Sequence, residues 1–146
     1  VKVIGHCSSV RFLDASHECD WFGVTCNVDK VVTEISLPDN NLRGEIPSDV
    51  YETLKELEAL ELNDNNLVGD IPFDALSRLA NLGTLNMGGN DGLYGNATEF
   101  CNNDTTLPSE DRRSLPLVSF VTDCDGDDDS SSSSSSVTCP CCTRCT

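Results

Sequence analysis

The sequence predicts a short α/β solenoid in which strand-and-turn units of equal length stack on one another. Residues Asn40–Pro47 read NNLRGEIP, and Asn65–Pro72 read NNLVGDIP, 25 residues later. Apolar residues recur with the same period at Ile35, Leu60 and Leu85. A fixed period of this length is typical of units that bury their apolar side only against their neighbours. Cysteines stand near both ends of the chain, and the repeats between Cys26 and Cys101 contain none. This distribution predicts caps that are held by disulfides.

Each unit is predicted to be one short strand followed by a turn. The pattern L-x-L-x-x-N-x-L alternates apolar and other residues with a period of two, as in a strand that buries one side. Asn40, Asn65 and Asn90 stand where the chain turns. Because a buried asparagine side chain can bond the backbone groups of a turn, we expect a ladder of these residues. The extra Gly92 makes the third unit irregular, and about three units are the minimum for a stable array.

The side opposite the strands is predicted to consist of short helical or 3₁₀ turns. Apolar residues stand there at helix-like spacing. They are Val50, Leu54, Leu57, Leu76, Leu79 and Leu82.

Residues 1–28 are predicted to form an N-terminal cap. A cap is needed because the first repeat otherwise exposes its apolar edge. Trp21, Phe22 and Val24 are expected to cover that edge while a bridge between Cys19 and Cys26 holds the cap together. The chain starts without a methionine or an apolar leader, so we expect this cap to be truncated.

The remaining boundaries follow changes in composition. Residues 29–95 hold about three repeats, and residues 96–124 are predicted to be a C-terminal cap with a last strand-like run, LPLVSFVTDC. Residues 125–138 read as an acidic, serine-rich spacer, a composition that cannot pack a core. Residues 139–146 form a cysteine-rich tail.

Nine cysteines in 146 residues indicate an oxidising compartment. Eight of them are expected in disulfides, with connectivity left open: Cys19, Cys26, Cys101, Cys124, Cys139, Cys141, Cys142 and Cys145. Nine is odd, so Cys7 is expected to be unpaired or intermolecular. Four sulfurs in the tail would also suffice for a tetrahedral zinc ion, but the adjacent Cys141 and Cys142 favour disulfides. We expect no metal and no cofactor.

Charge and modification motifs limit the functional classes. Nine basic against 25 acidic residues give a net charge of −16, which disfavours nucleic acid and anionic membranes as partners. No run is apolar and long enough to span a bilayer. The sequons at Asn96 and Asn103 predict N-glycosylation and secretion. The acidic stretch DCDGDDD places Gly126 fourth, whereas a calcium-binding EF-hand loop needs glycine sixth.

The serine run carries two equally weighted interpretations, an O-glycosylated segment or an unmodified spacer. Its residues are Ser130, Ser131, Ser132, Ser133, Ser134, Ser135 and Ser136.

The repeats resemble a known family. The string G-x-I-P after N-x-L, in Gly44–Pro47 and Gly69–Pro72, resembles the plant-type extracellular leucine-rich repeat, and CDWFGVTC resembles the cap that precedes such repeats. The ending, FVTDC with an acidic spacer and CPCCTRC, is similar to the cysteine-rich tail of leucine-rich-repeat proteins from algae related to diatoms. The resemblance implies a right-handed solenoid with a parallel concave sheet that binds proteins, peptides or glycans outside the cell.

The candidate site is the concave face of the sheet, where the residues between the buried strand positions form columns. These are Glu34, Ala59 and Thr84; Ser36, Glu61 and Asn86; and Pro38, Asn63 and Gly88. The columns lack the aromatic and arginine anchors that dominate most interfaces. A solvated sheet surface is therefore the competing interpretation.

No catalytic arrangement is predicted, because His6 and His17 have no evident nucleophile or carboxylate partner. We expect a secreted, non-catalytic module that acts by protein association, including association with copies of itself, in an extracellular layer, wall, matrix or filament. The short face, the odd cysteine and the serine tail favour that structural role. The alternative is a soluble recognition module that binds a peptide, a glycan or a foreign enzyme, as an inhibitor or a receptor ectodomain does.

Overall fold

The computed structural model describes residues 16–49, 52–102, 119–123 and 137–146. Several sequence predictions lie outside these residues and remain predictions. They concern Cys7, Val50, Asn103, Cys124 and the serine run at 130–136.

The described chain forms a solenoid with two sheets. The main sheet contains β1 (Val24–Cys26), β2 (Val32–Ser36), β4 (Ala59–Glu61), β6 (Thr84–Asn86), β8 (Ser119–Thr122) and β10 (Arg144–Cys145), in that order. The second sheet contains β3 (Arg43–Gly44), β5 (Asn66–Asp70), β7 (Gly92–Asn96) and β9 (Val137–Thr138). Every strand pair is parallel except β1 with β2. The helical segments are a 3₁₀ turn (Glu18–Asp20), α1 (Phe73–Leu76) and α2 (Thr98–Asn102).

The second sheet is the main feature that the sequence did not predict. The expected helical residues Leu57, Leu76, Leu79 and Leu82 are indeed buried, but only four residues, Phe73–Leu76, form an α-helix there. The other buried residues lie in turns, as predicted: the N–H groups of Leu57, Leu79 and Leu82 donate to the carbonyls three residues earlier. The strands of the second sheet precede these turns. In β5 the burial alternates around Leu67, which is buried, while Val68 is exposed.

The core consists of columns of stacked side chains. Leu60, Leu85 and Phe120 occupy paired positions on successive strands and are almost fully buried. Each such side chain contributes about 1.5–3 kcal/mol through burial. Phe73, Phe100 and Phe120 form a mutually packed triad with ring centroids 5.3–6.0 Å apart. The triad brings together α1, α2 and β8.

The predicted asparagine ladder is confirmed at Asn65 and Asn90, whereas Asn40 is only half-buried and its Nδ2 donates to the carbonyl of Pro38, two residues earlier. Asn65 is buried, and its Oδ1 accepts the backbone N–H groups of Asn40 at 3.0 Å and Leu42 at 2.9 Å. Its Nδ2 donates to the carbonyls of Leu37 and Leu62, each at 2.9 Å. These bonds satisfy backbone groups of two adjacent turns that would otherwise be buried without partners.

Asn90 repeats this arrangement one unit later. It is fully buried, its Oδ1 accepts the N–H of Leu67 at 3.1 Å, and its Nδ2 donates to the carbonyls of Met87 and Leu62. The ladder therefore continues through the irregular third unit.

The N-terminal cap is closed by a disulfide between Cys19 and Cys26. Strand β1 of this cap pairs antiparallel with β2 and covers the first edge of the main sheet. Trp21 and Val24 are half-buried. Phe22, predicted to help cover the edge, is 50% exposed because it lies in the turn that the Val24 N–H closes on the Trp21 carbonyl.

The last ten residues belong to the solenoid. Strand β9 pairs with β7, and β10 pairs with β8, so residues 137–146 supply strands to both sheets. Disulfides join Cys101 to Cys141 and Cys139 to Cys142, and Cys145 is also disulfide-bonded. The sequence interpretation of residues 139–146 as a separate tail missed this pairing, because an acidic and serine-rich stretch interrupts the repeat. In the described ranges, no helix combines the length and apolarity that a membrane span requires.

Candidate functional site

The outward face of the main sheet carries aligned columns of polar side chains. The strand pairing places Glu34 beside Ala59 and Thr84, and Ser36 beside Glu61 and Asn86. This is the register that the 25-residue period predicts. Because neighbouring strands lie about 4.8 Å apart, the columns form one continuous surface.

Hydrogen bonds hold parts of this face in place. The hydroxyl of Ser36 donates to Oε2 of Glu61 at 2.7 Å, across 25 residues of sequence. Nδ2 of Asn63 donates to Oδ2 of Asp64 at 2.6 Å. The Glu61 carboxylate is therefore oriented by its neighbour in the previous repeat.

Gly88 is the exception among the predicted face residues, because it is buried and not exposed. A Cβ at this position would lie 2.7 Å from Oγ1 of Thr146 and 3.4 Å from Cγ1 of Val121. Side chains from β8 and from the end of the chain cover it. The expectation that Gly88 belongs to the open face is therefore wrong.

The face extends further than the sequence indicates. Pairing places Ser119 beside Thr84 and Val121 beside Asn86, and Arg144 lies beside Val121. The signal that could have shown this is the stretch SFVTD at 119–123, which alternates like the strands of the repeats. Ser119 follows Thr84 by 35 residues, whereas the earlier repeats follow one another by 25, so the period does not reveal this strand.

Asp123 connects the third and fourth turns. Its two carboxylate oxygens accept the backbone N–H groups of Gly89 and Asn90, each at 2.9 Å, and the Thr146 hydroxyl donates to Oδ1 at 2.5 Å. In the sequence, Asp123 opens the acidic stretch DCDGDDD, which does not fit an EF-hand loop. In the structure its oxygens instead satisfy the backbone of the neighbouring turn.

Charge is unevenly distributed over the face. Glu34 and Glu61 lie on adjacent strands β2 and β4, whereas Arg144 lies on β10 at the other end of the sheet. The glutamates are half-buried and Arg144 is exposed. The β2–β4 half therefore suits cationic groups, and the β10 end suits an anionic group.

Comparisons with known proteins match the repeats. No protein-family model matches the chain. A probable leucine-rich repeat receptor-like protein kinase of Arabidopsis thaliana is 45% identical over 42 residues. The leucine-rich repeat receptor protein kinase EMS1 of the same plant is 50% identical over 46 residues. The repeats are plant-type leucine-rich repeats.

The similarity to these kinases is local. The matched segments cover 29% and 32% of this chain but 4% of the length of each kinase. Among solved structures, the BIR2 ectodomain from Arabidopsis thaliana aligns with a TM-score of 0.49 and 32% identity, over 53% of this chain and 41% of that chain.

Sulfur atoms cluster beside the last leucine-rich repeat. The Sγ atoms of Cys101, Cys139 and Cys141 lie within 4.8 Å of one another. Cys101 is bonded to Cys141, and Cys139 is bonded to Cys142. Because a metal is bound by the thiolate, sulfurs in disulfides do not supply a zinc site. The cluster fastens α2 to the end of the solenoid.

A second surface feature is a groove of about 510 Å³ on the far side of the leucine-rich repeats. Carboxylates of Asp49, Asp70 and Asp74 line it together with Arg78 and Asn96. Arg78 lies 3.9 Å from a Glu52 carboxylate oxygen, and both side chains are exposed. Such an exposed pair contributes little to stability.

His17 has a local structural role. Its Nδ1 accepts the backbone N–H of Cys19 at 3.2 Å and caps the 3₁₀ turn. His6 lies outside the described residues.

Proposed function

We propose that this chain is a secreted, non-catalytic, protein-binding module. Its outward main-sheet face binds an extended peptide segment that presents basic and polar side chains. The Glu34 and Glu61 half of the face binds the basic groups. The Arg144 end favours a carboxylate of the partner.

The observation that carries this proposal is the alignment of the columns across β2, β4, β6 and β8. Aligned strands give a regular, repeating set of polar groups, which suits a partner in an extended conformation. The bond from Ser36 to Glu61 holds one acceptor in position before binding, which lowers the ordering cost on association.

Disulfides support the proposed compartment. Three have both of their cysteines among the described residues, and such bonds persist in oxidising environments. The names of the two curated relatives, both receptor kinases, support recognition outside the cell as the purpose of these repeats.

A selection experiment tests the proposal. The full disulfide-bonded chain is used to select binders from a random peptide library, and the affinity of enriched peptides is then measured by calorimetry. We expect basic peptides whose binding is lost in Glu34→Lys and Glu61→Lys. Asp29→Lys makes the same charge change in the β1–β2 turn and is expected to retain binding. Equal loss in all three variants, or no enrichment, would contradict the proposal.

Self-association is the second candidate, as expected for a structural subunit of a layer or filament. The observation that favours it is the outer edge of β10, with which no described strand pairs. An open strand edge is a template for pairing with another chain. Light scattering of the native glycosylated chain over a dilution series tests this; a monomer at every concentration would exclude it.

A further inference from the structure

We propose that Asn96 carries an N-linked oligosaccharide whose first N-acetylglucosamine packs on the ring of Tyr94. The motif is Asn96-Ala97-Thr98, which fits the acceptor rule for N-glycosylation. The inference goes beyond the proposed function, because it concerns the second sheet and leaves the main-sheet face free for a protein partner.

The fold leaves the acceptor atom of Asn96 available. Asn96 is the last residue of β7 and is exposed. Its Oδ1 accepts the backbone N–H of Thr98 at 2.9 Å. Among the described residues, Nδ2 has no hydrogen-bond partner, so a sugar attached to it displaces no bond of the folded chain.

Tyr94 lies on the same side of the same strand. Residues two apart in a strand point to one face, with Cα atoms about 7 Å apart. Tyr94 is 46% exposed and Asn96 is exposed, whereas Gly95 between them lies inward, where a Cβ would meet Oδ1 of Asp70 and the ring of Phe73. The tyrosine ring is therefore beside the attachment point and is open to solvent.

The corresponding positions of the earlier repeats do not share this pair. They hold Arg43 and Glu45 in the first unit, and Val68 and Asp70 in the second. The solenoid thus does not need an aromatic residue at this place. An exposed ring next to a sequon suits a sugar, because the electron-rich ring face attracts the C–H groups of a pyranose.

The sugar donor in the attachment step is a co-substrate of the secretory pathway, an oligosaccharide linked to a lipid diphosphate. Nδ2 of Asn96 forms a bond to the anomeric carbon as the bond from that carbon to the phosphate oxygen breaks. Nδ2 loses one proton to a base of the transferase or to water, and the lipid diphosphate leaves with the electron pair of the broken bond. No oxidant or reductant is involved.

The experiment uses the full chain secreted from eukaryotic cells, with Asn103→Gln in every variant so that Asn96 is the remaining sequon. Peptide mass spectrometry measures occupancy, and an endoglycosidase trims the glycan to one N-acetylglucosamine. The Tm of this form is compared with that of Asn96→Gln in three backgrounds: wild type, Tyr94→Ser and Tyr94→Phe. Asn96→Gln also removes the hydrogen bond between the Thr98 N–H and the Asn96 side chain. This loss is the same in all three backgrounds, so it cancels when the three Tm differences are compared.

We expect Asn96 to be occupied, and the rise in Tm from Asn96→Gln to the single-sugar form to be about 4 °C larger in the wild type than in Tyr94→Ser, the size of shift that a contact of ordinary strength produces in a chain of this length. The rise in Tyr94→Phe should equal that in the wild type. Absence of glycan from Asn96 would overturn the proposal. So would an equal increase in Tyr94→Ser, or an increase abolished by Asp74→Asn, which would place the sugar in the groove.

Discussion

The carboxylate of Asp123 accepts the backbone N–H of Asn90 at 2.9 Å, across 33 residues of sequence. Asn90 in turn bonds the backbone of the preceding unit through its own side chain. The hydrogen-bond ladder inside the solenoid therefore ends on a carboxylate. This joint holds β8 and the end of the chain on the third repeat.

Replacing Asp123 tests the joint. Asp123→Ala removes acceptors from the N–H groups of Gly89 and Asn90, and we expect it to lower the free energy of unfolding by about 2–3 kcal/mol. Asp123→Asn keeps one acceptor oxygen and should cost less. Urea unfolding of the oxidised chain measures both. Asp91→Ala, at an exposed turn position, is the control and should stay within about 0.5 kcal/mol of the wild type; an equally small effect of Asp123→Ala would refute the role of the joint.

The asparagine ladder gives a second prediction. Asn65→Ala leaves buried backbone groups on two turns without partners, so we expect a loss of about 3 kcal/mol or more. Asn66→Ala removes an exposed neighbouring amide and should cost about 0.5 kcal/mol. Denaturant titration of the two variants side by side provides the comparison. Similar midpoints would show that the ladder does not stabilise the solenoid.

Alanine substitutions at two glycines distinguish the cost of backbone strain from the cost of a steric clash. Gly44 has φ +103 and no atom within 4 Å of a built Cβ, so Gly44→Ala should cost about 1–2 kcal/mol through conformation alone. Gly23 has φ +76, and a Cβ at this position would collide with the backbone oxygen of Ser36. We expect Gly23→Ala to be clearly more destabilising in thermal unfolding. The reverse order would mean that the cap does not pack on β2 as described.

The disulfides should contribute unequally. Removing the Cys19–Cys26 bridge, with its sequence separation of 7, should cost about 2 kcal/mol, because it closes a short loop. The Cys101–Cys141 bridge spans 40 residues, and its removal should cost about 4 kcal/mol on the same entropic estimate. Paired cysteine-to-alanine variants, unfolded in guanidinium chloride, give the two values. A larger effect at the N-terminal bridge would contradict the expected order.

The repeats made the main sheet predictable. Burial of Leu60 and Leu85 follows from a period of 25 residues combined with alternation along each strand. The role of Asn65 follows from its fixed place at the turn. Each of these features is local to one repeat or shared by its immediate neighbour, so the sequence pattern contains them.

Other features depend on contacts that no period reveals. Val137 pairs with Gly95 across 42 residues, with an acidic and serine-rich stretch in between, so the fourth turn could not be recognised. Burial of Gly88 depends on Thr146 and Val121, which lie far along the chain. The second sheet was missed because its strands are short and begin immediately after the asparagine turn.

Native-state hydrogen exchange of the full chain tests most directly whether residues 137–146 are a turn of the solenoid, on which the extent of the proposed binding face depends. If β10 pairs with β8, the amide of Thr146, which donates to the Thr122 carbonyl at 3.1 Å, should be protected, as should the amides of β4 and β6. Reduction of the disulfides should remove the protection of residues 143–146 first. Exchange of these amides at the rate of an unfolded peptide, in an oxidised chain whose β4 and β6 remain protected, would contradict the structure described.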